Sequence, residues 1–130
     1  MCASPDTPIA TPSGDRAIAE LVPGDLVYSE DHGAIIAVPI ARVRKQPVHV
    51  HQVLRIELSG GRVLEVSGSH PLPDGRPLSE LRPGDRLGTE RVISSERVPY
   101  RYDATYDVLP ASETGSYFAA GVELGSTLAR

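Results

Sequence analysis

The chain has 130 residues, 40% of them hydrophobic and 23% charged, with a formal net charge of −4. This length fits one domain with a packed core, and the acidic balance argues against a nucleic-acid or anionic-membrane binder, since the basic cluster Arg42, Arg44 and Lys45 is short. No apolar run approaches bilayer length, the opening MCASPDTPIATP lacks the pattern of a signal peptide, and the lone Cys2 allows neither an internal disulfide nor a cysteine-based metal site.

Val and Ile supply 20 residues and Gly and Pro 24. Stiff β-branched residues between frequent breakers predict an all-β chain with almost no helix. In chain order, a turn is expected at Pro12-Ser13-Gly14, a short helical turn at Glu20-Leu21, and a tight turn at Pro23-Gly24. Strands are expected near Leu26–Ser29, Ala34–Val43 and Pro47–Gln52. Val53–Leu58 alternates apolar and polar residues, and so does Arg62–Val66; their junction at Ser59-Gly60-Gly61 predicts a hairpin. A second turn follows at Pro73-Asp74-Gly75, then a helical turn at Glu80-Leu81. The last strands are expected at Arg91–Val98, Thr105–Leu109, Ser116–Ala120 and Val122–Leu124. No window keeps a helical apolar period for three turns.

One segment recurs. Ile18-Ala19-Glu20-Leu21-Val22-Pro23-Gly24-Asp25-Leu26-Val27 returns as Leu78-Ser79-Glu80-Leu81-Arg82-Pro83-Gly84-Asp85-Arg86-Leu87, at an offset of 60. Pro followed by Gly makes a type II turn, because Pro sets a negative φ and Gly accepts a positive one. Two copies are too few for a solenoid and suggest two related halves about a pseudo-twofold axis.

The candidate chemistry is sparse. Cys2 is either an inert hydrophobe or, lying where no core element is expected, a nucleophile. Ser67-Gly68-Ser69-His70-Pro71 closes a strand with a hydroxyl three residues before an imidazole. The pair can serve a structural turn or proton transfer at an amide nitrogen. Asp107 interrupts an apolar strand, facing solvent by alternation or buried with a role. His49 and His51 share a strand face but lack the further ligands zinc needs, so no metal is expected there. His32, between Asp31 and Gly33, reads as a turn residue.

Taken in order, these features resemble the Hint superfamily, the self-processing domains of inteins, Hedgehog proteins and bacterial intein-like domains. The opening is similar in Cys2, Asp6-Thr7-Pro8-Ile9, Thr11-Pro12-Ser13-Gly14 and Leu21-Val22-Pro23-Gly24-Asp25-Leu26-Val27. The second motif is Gly61–Val66 leading to Ser67-x-x-His70-Pro71-Leu72, with Ser67 where the family usually has Thr. The third is Tyr106-Asp107-Val108, followed by Ser116-Tyr117-Phe118-Ala119-Ala120-Gly121-Val122-Glu123-Leu124. The resemblance implies a horseshoe-like all-β fold of two pseudo-twofold related halves. It implies that residues 1–130 form one Hint domain, with Met1 the remnant of an upstream segment.

The resemblance also implies a chemistry at Cys2, Ser67, His70 and Asp107. Cys2 attacks the carbonyl before it and turns that amide into a thioester. His70 protonates the departing amino group, Ser67 hydrogen-bonds the scissile peptide, and Asp107 manages protons around Cys2 or activates the group that attacks the thioester. Inteins normally end in His-Asn, where this chain has Gly125 and Ser126, then Thr127. Asn-dependent C-terminal cleavage and ordinary splicing are therefore not expected. N-terminal cleavage is, with the thioester passing to water, an amine or a thiol. The implied partner is the covalently attached upstream protein. No cofactor, nucleic acid or membrane is implied, and a monomer is expected. The compartment stays open between the bacterial cytoplasm and a secreted or surface parent protein. Two competing readings are a Hint scaffold that has lost its chemistry and a small β-barrel binding module in which the four site residues do not converge.

Overall fold

A computed structural model describes residues 3–49 and 52–128. Among them lie eleven strands and two one-turn 3-10 helices, at Ile18–Glu20 and Leu78–Glu80, so the all-β expectation holds. In order the strands are β1 (Pro8–Thr11), β2 (Gly14–Ala17), β3 (Leu26–Asp31), β4 (Ala34–Pro47), β5 (Gln52–Leu58) and β6 (Val63–Val66). They continue as β7 (Arg86–Leu87), β8 (Glu90–Pro99), β9 (Ala104–Pro110), β10 (Tyr117–Ala119) and β11 (Val122–Leu124). They build three sheets, ordered β11-β10-β1-β2, β3-β4-β9 and β6-β5-β8-β7. The Gly60-Gly61 hairpin forms as expected, with Leu54, Ile56 and Leu58 buried on one face of β5.

Two expectations need correction. The hairpin of β1 and β2 had no strand signal, being rich in Pro, Gly and Asp. Its partners are tertiary: Ile9 faces Arg16 on β2 and Ala119 on β10. Conversely, a strand over Pro47–Gln52 does not run through. Pairing of β4 with β9 ends at Pro47 and Ala104, because β9 begins there; Val48 keeps one amide bond to the Asp103 carbonyl at 2.9 Å and His49 lies outside any strand.

The repeated segment is duplicated bond for bond. Asp25 Oδ2 accepts the Val22 amide at 3.0 Å, and Asp85 Oδ2 accepts that of Arg82 at 2.8 Å, which explains the Asp after each Pro-Gly. Gly24 N donates to the Ile40 carbonyl and Gly84 N to that of Val92; each turn receives the return bond from the same partner. The correspondence reaches upstream, beyond what the repeat alone displayed. His70 N donates to the Ser67 carbonyl at 3.0 Å, and Thr7 N donates to that of Ser4 at 3.1 Å. The His70 carbonyl accepts from Leu78 as the Thr7 carbonyl accepts from Ile18, and the Pro71 and Pro8 carbonyls accept from Gly125 and Ala120. Ser4-x-x-Thr7-Pro8 is thus the counterpart of Ser67-x-x-His70-Pro71.

Gly24 and Gly84 sit at φ +94 and +91, and a Cβ added at either would meet nothing within 4 Å. The cost of Ala there is therefore backbone strain alone, about 1–2 kcal/mol. Gly24→Ala and Gly84→Ala are expected to lower stability by similar amounts in urea denaturation, as the duplicated geometry requires.

The core draws on both halves. Ile9, Val27, Ile56, Leu64, Val66, Leu78, Tyr117 and Leu124 are all buried in one cluster. Each buried aliphatic side chain contributes about 1.5–3 kcal/mol. At the rim, burial holds the Glu123 carboxyl above the usual carboxylate range; a Ser116 hydrogen bond opposes this and the Glu30 carboxylate reinforces it. A raised carboxyl pKa means that the folded chain binds more protons than the unfolded one. Stability should therefore fall as pH rises from the ordinary Glu value through the raised one. Glu123→Gln is expected to flatten that slope in urea titrations at successive pH values.

Candidate active site

The site is assembled where three strand ends meet the middle of β9. Ser67 directly follows β6, and the turn it opens brings His70 inward. Asp107 lies midway along β9, Tyr117 opens β10, and the segment Gly125–Leu128 follows β11. Ser67, His70, Asp107 and Tyr117 are all buried, with relative exposures of 2%, 0%, 1% and 0%. The choice left open for Asp107 is thereby decided: alternation fails because β9 is buried on both faces, with Asp107 and Leu109 on one and Val108 on the other.

Tyr117 joins the two candidate proton carriers. Its hydroxyl donates to Asp107 Oδ1 at 2.7 Å and lies 3.3 Å from His70 Nε2, with the two rings edge to face. His70 Nε2 also lies 2.7 Å from the Gly125 carbonyl oxygen. A carbonyl can only accept, so this contact places the ring proton on Nε2. Asp107 accepts further hydrogen bonds from Val108 N at 2.9 Å and Thr127 N at 2.8 Å, and one from the Thr127 hydroxyl. Burial in low dielectric makes such a network costly to leave incomplete, so these groups hold each other in place.

His70 and Asp107 are thus brought together through Tyr117, and Ser67 is tied to His70 through its turn. Cys2 lies outside the described residues. Its neighbour Ala3 is fully buried and bonded in both directions to Tyr106, at 2.8 and 2.9 Å, while also bridging Val66. Ala3 is therefore fixed between the residues that precede Asp107 and Ser67.

Tyr117 was not singled out from the sequence. It stands in the apolar run Tyr117-Phe118-Ala119, where an aromatic reads as core, and only its hydroxyl contacts reveal a second use. His49 is exposed and His51 lies outside the described residues, so their pairing is not described. His32 occupies a turn at φ +50, as its setting suggested. Its Nδ1 lies 3.4 Å from Asp31 and its Nε2 2.8 Å from Glu113, with 79% of the side chain exposed. The two nitrogens face different carboxylates in an exposed surface cluster.

No protein-family model and no curated protein matches the chain. Solved structures do. The bacterial intein-like domain from Clostridium thermocellum superposes with a TM-score of 0.82 at 18% identity, over 98% of this chain and 99% of that one. A variant of the Ssp DnaB mini-intein gives 0.82 at 14% identity, over 98% and 95%. A DnaB intein from Synechocystis gives 0.81 at 15% identity, over 97% and 98%. Three sheets, two duplicated Pro-Gly-Asp turns and this superposition over nearly the whole length agree: the chain has the Hint, or intein-type, fold.

Proposed function

We propose that the domain processes itself at its N-terminal junction. The Cys2 thiol attacks the preceding carbonyl, the C–N bond breaks, and the upstream segment moves from nitrogen to sulfur as a thioester. His70 supplies the proton that the departing Cys2 amine needs. Ser67 hydrogen-bonds the scissile peptide, acting as an oxyanion-stabilising donor does. Asp107, held by Tyr117, manages protons during formation or loss of the thioester. Water, an amine or a thiol then takes the acyl group. Ser126 has no side-chain amide to cyclise, so Asn-type C-terminal cleavage is absent from this scheme.

The observation that carries the reading is the seat of Ala3. The residue after the proposed nucleophile is bonded to Tyr106 and bridged to Val66, one residue from Asp107 and from Ser67. The buried contact of His70 and Asp107 with a common Tyr117 supports it. The test is a reporter protein fused directly before Cys2 and followed by intact mass spectrometry. Release accelerated by added thiol, and lost in Cys2→Ala, is the expected result. An intact, folded fusion under every condition would sink the proposal and leave a scaffold without chemistry, a reading that the Gly125 and Ser126 replacements favour.

A further inference from the structure

The segment after β11 is held in a way that the N-terminal chemistry does not require. Gly125 is clamped on both sides, its amide donating to the Pro71 carbonyl at 3.0 Å and its carbonyl lying on His70 Nε2 at 2.7 Å. Two residues on, Thr127 gives both its amide N–H and its hydroxyl to one oxygen, Asp107 Oδ2. Ser126 is differently engaged, its Oγ accepting the Leu128 amide at 3.1 Å. The Ser126–Thr127 peptide is therefore fixed at both ends. Its flanking hydroxyl and its own nitrogen share one buried carboxylate oxygen.

We propose that Ser126–Thr127 is a second self-cleavage site, opened by an N-to-O acyl shift onto Thr127 and independent of Cys2. Thr127 Oγ1 attacks the Ser126 carbonyl carbon and closes a five-membered tetrahedral intermediate. The hydroxyl proton passes to Asp107 Oδ2 and from there to the Thr127 nitrogen, which lies on the same oxygen. The Ser126 C–N bond breaks, leaving an ester between Ser126 and Thr127 Oγ1 and a free Thr127 amine. Water then cleaves the ester, giving a Ser126 carboxylate and restoring the Thr127 hydroxyl. Thr127 is exposed, so water reaches the ester. Holding the nucleophile and the proton carrier together beside the bond to be broken is the largest help such an unfavourable shift can receive.

The test follows the purified full chain by intact mass at neutral pH, with and without hydroxylamine, which traps esters as hydroxamates. The expected products are a chain ending at Ser126 and the peptide Thr127–Arg130, with a Ser126 hydroxamate when hydroxylamine is present. Thr127→Val should abolish release and Thr127→Ser should retain it. Asp107→Asn should slow it by about 100-fold or more, the scale of one general acid–base group. Cys2→Ala removes every thioester route, so release from that variant belongs to Thr127 alone. No release from the folded chain, release that survives Thr127→Val, or cleavage at Gly125–Ser126 instead would each overturn the proposal. The reporter at Cys2 reads the opposite end, so failure here and failure of the N-terminal reading are told apart.

Discussion

His70→Ala is expected to slow thioester formation at Cys2 by about 100- to 10,000-fold, the range for losing one positioned proton carrier. An amine is a poor leaving group until it is protonated, and a positioned imidazole is a general acid able to supply that proton. His70 is fully buried, lies on the Gly125 carbonyl and meets Tyr117, so its ring has one place to be. The measurement is the rate of thiol-dependent reporter release, set beside far-UV circular dichroism and a urea melt of the same variant. Cleavage at a near-normal rate in a folded His70→Ala chain would take His70 out of this role. Because truncation also opens a cavity, His70→Gln makes a useful companion: it retains bulk and a donor for the Gly125 carbonyl but loses the acid.

Replacing Tyr117 should separate packing from polar support. Tyr117→Phe keeps the ring and deletes the hydroxyl, so Asp107 Oδ1 retains only the Val108 amide among its described partners. A buried carboxylate oxygen short of a donor costs about 1–3 kcal/mol. Tyr117→Ala removes a fully buried ring that belongs to the core, and its cost should reach about 3–5 kcal/mol. Urea denaturation of both variants gives the two figures. Stability unchanged in Tyr117→Phe would mean that the hydroxyl contributes nothing to holding Asp107. A functional readout accompanies it: if Tyr117 positions the acid–base groups, Tyr117→Phe should reduce reporter release more than its loss of stability explains.

Much of this architecture could be read before any coordinates. The Pro-Gly-Asp repeat was visible because Pro, Gly and Asp each answer a local demand: a fixed φ, a positive φ and an acceptor for the amide three residues back. The hairpin at Gly60-Gly61 was visible for the same reason. The β1–β2 hairpin was not, since two four-residue strands broken by Pro8, Pro12 and Gly14 are too short to show an alternating run, and β1 takes its place between β2 and β10. Asp107 could not be assigned to solvent or interior from alternation, because strands covered on both sides do not alternate. Ser67 and His70 stood out by spacing, whereas Tyr117 resembled an ordinary core aromatic. The tie between Thr127 and Asp107 joins residues 20 apart in sequence, with nothing local to announce it.

The kinship of the Thr7 and His70 turns has a consequence for how such a site can change over time. One backbone design is carried twice in the chain, once with an imidazole at its corner and once with a threonine hydroxyl that bonds to Ser4 at 3.0 Å. Since the Thr7 copy makes the same main-chain bonds, the imidazole is not a requirement of the turn. Mutation can therefore add or erase a reactive group at this corner while leaving the surrounding architecture standing. Lineages built on a duplicated frame of this kind can lose an activity, or acquire one in the other copy, without first having to find a new fold.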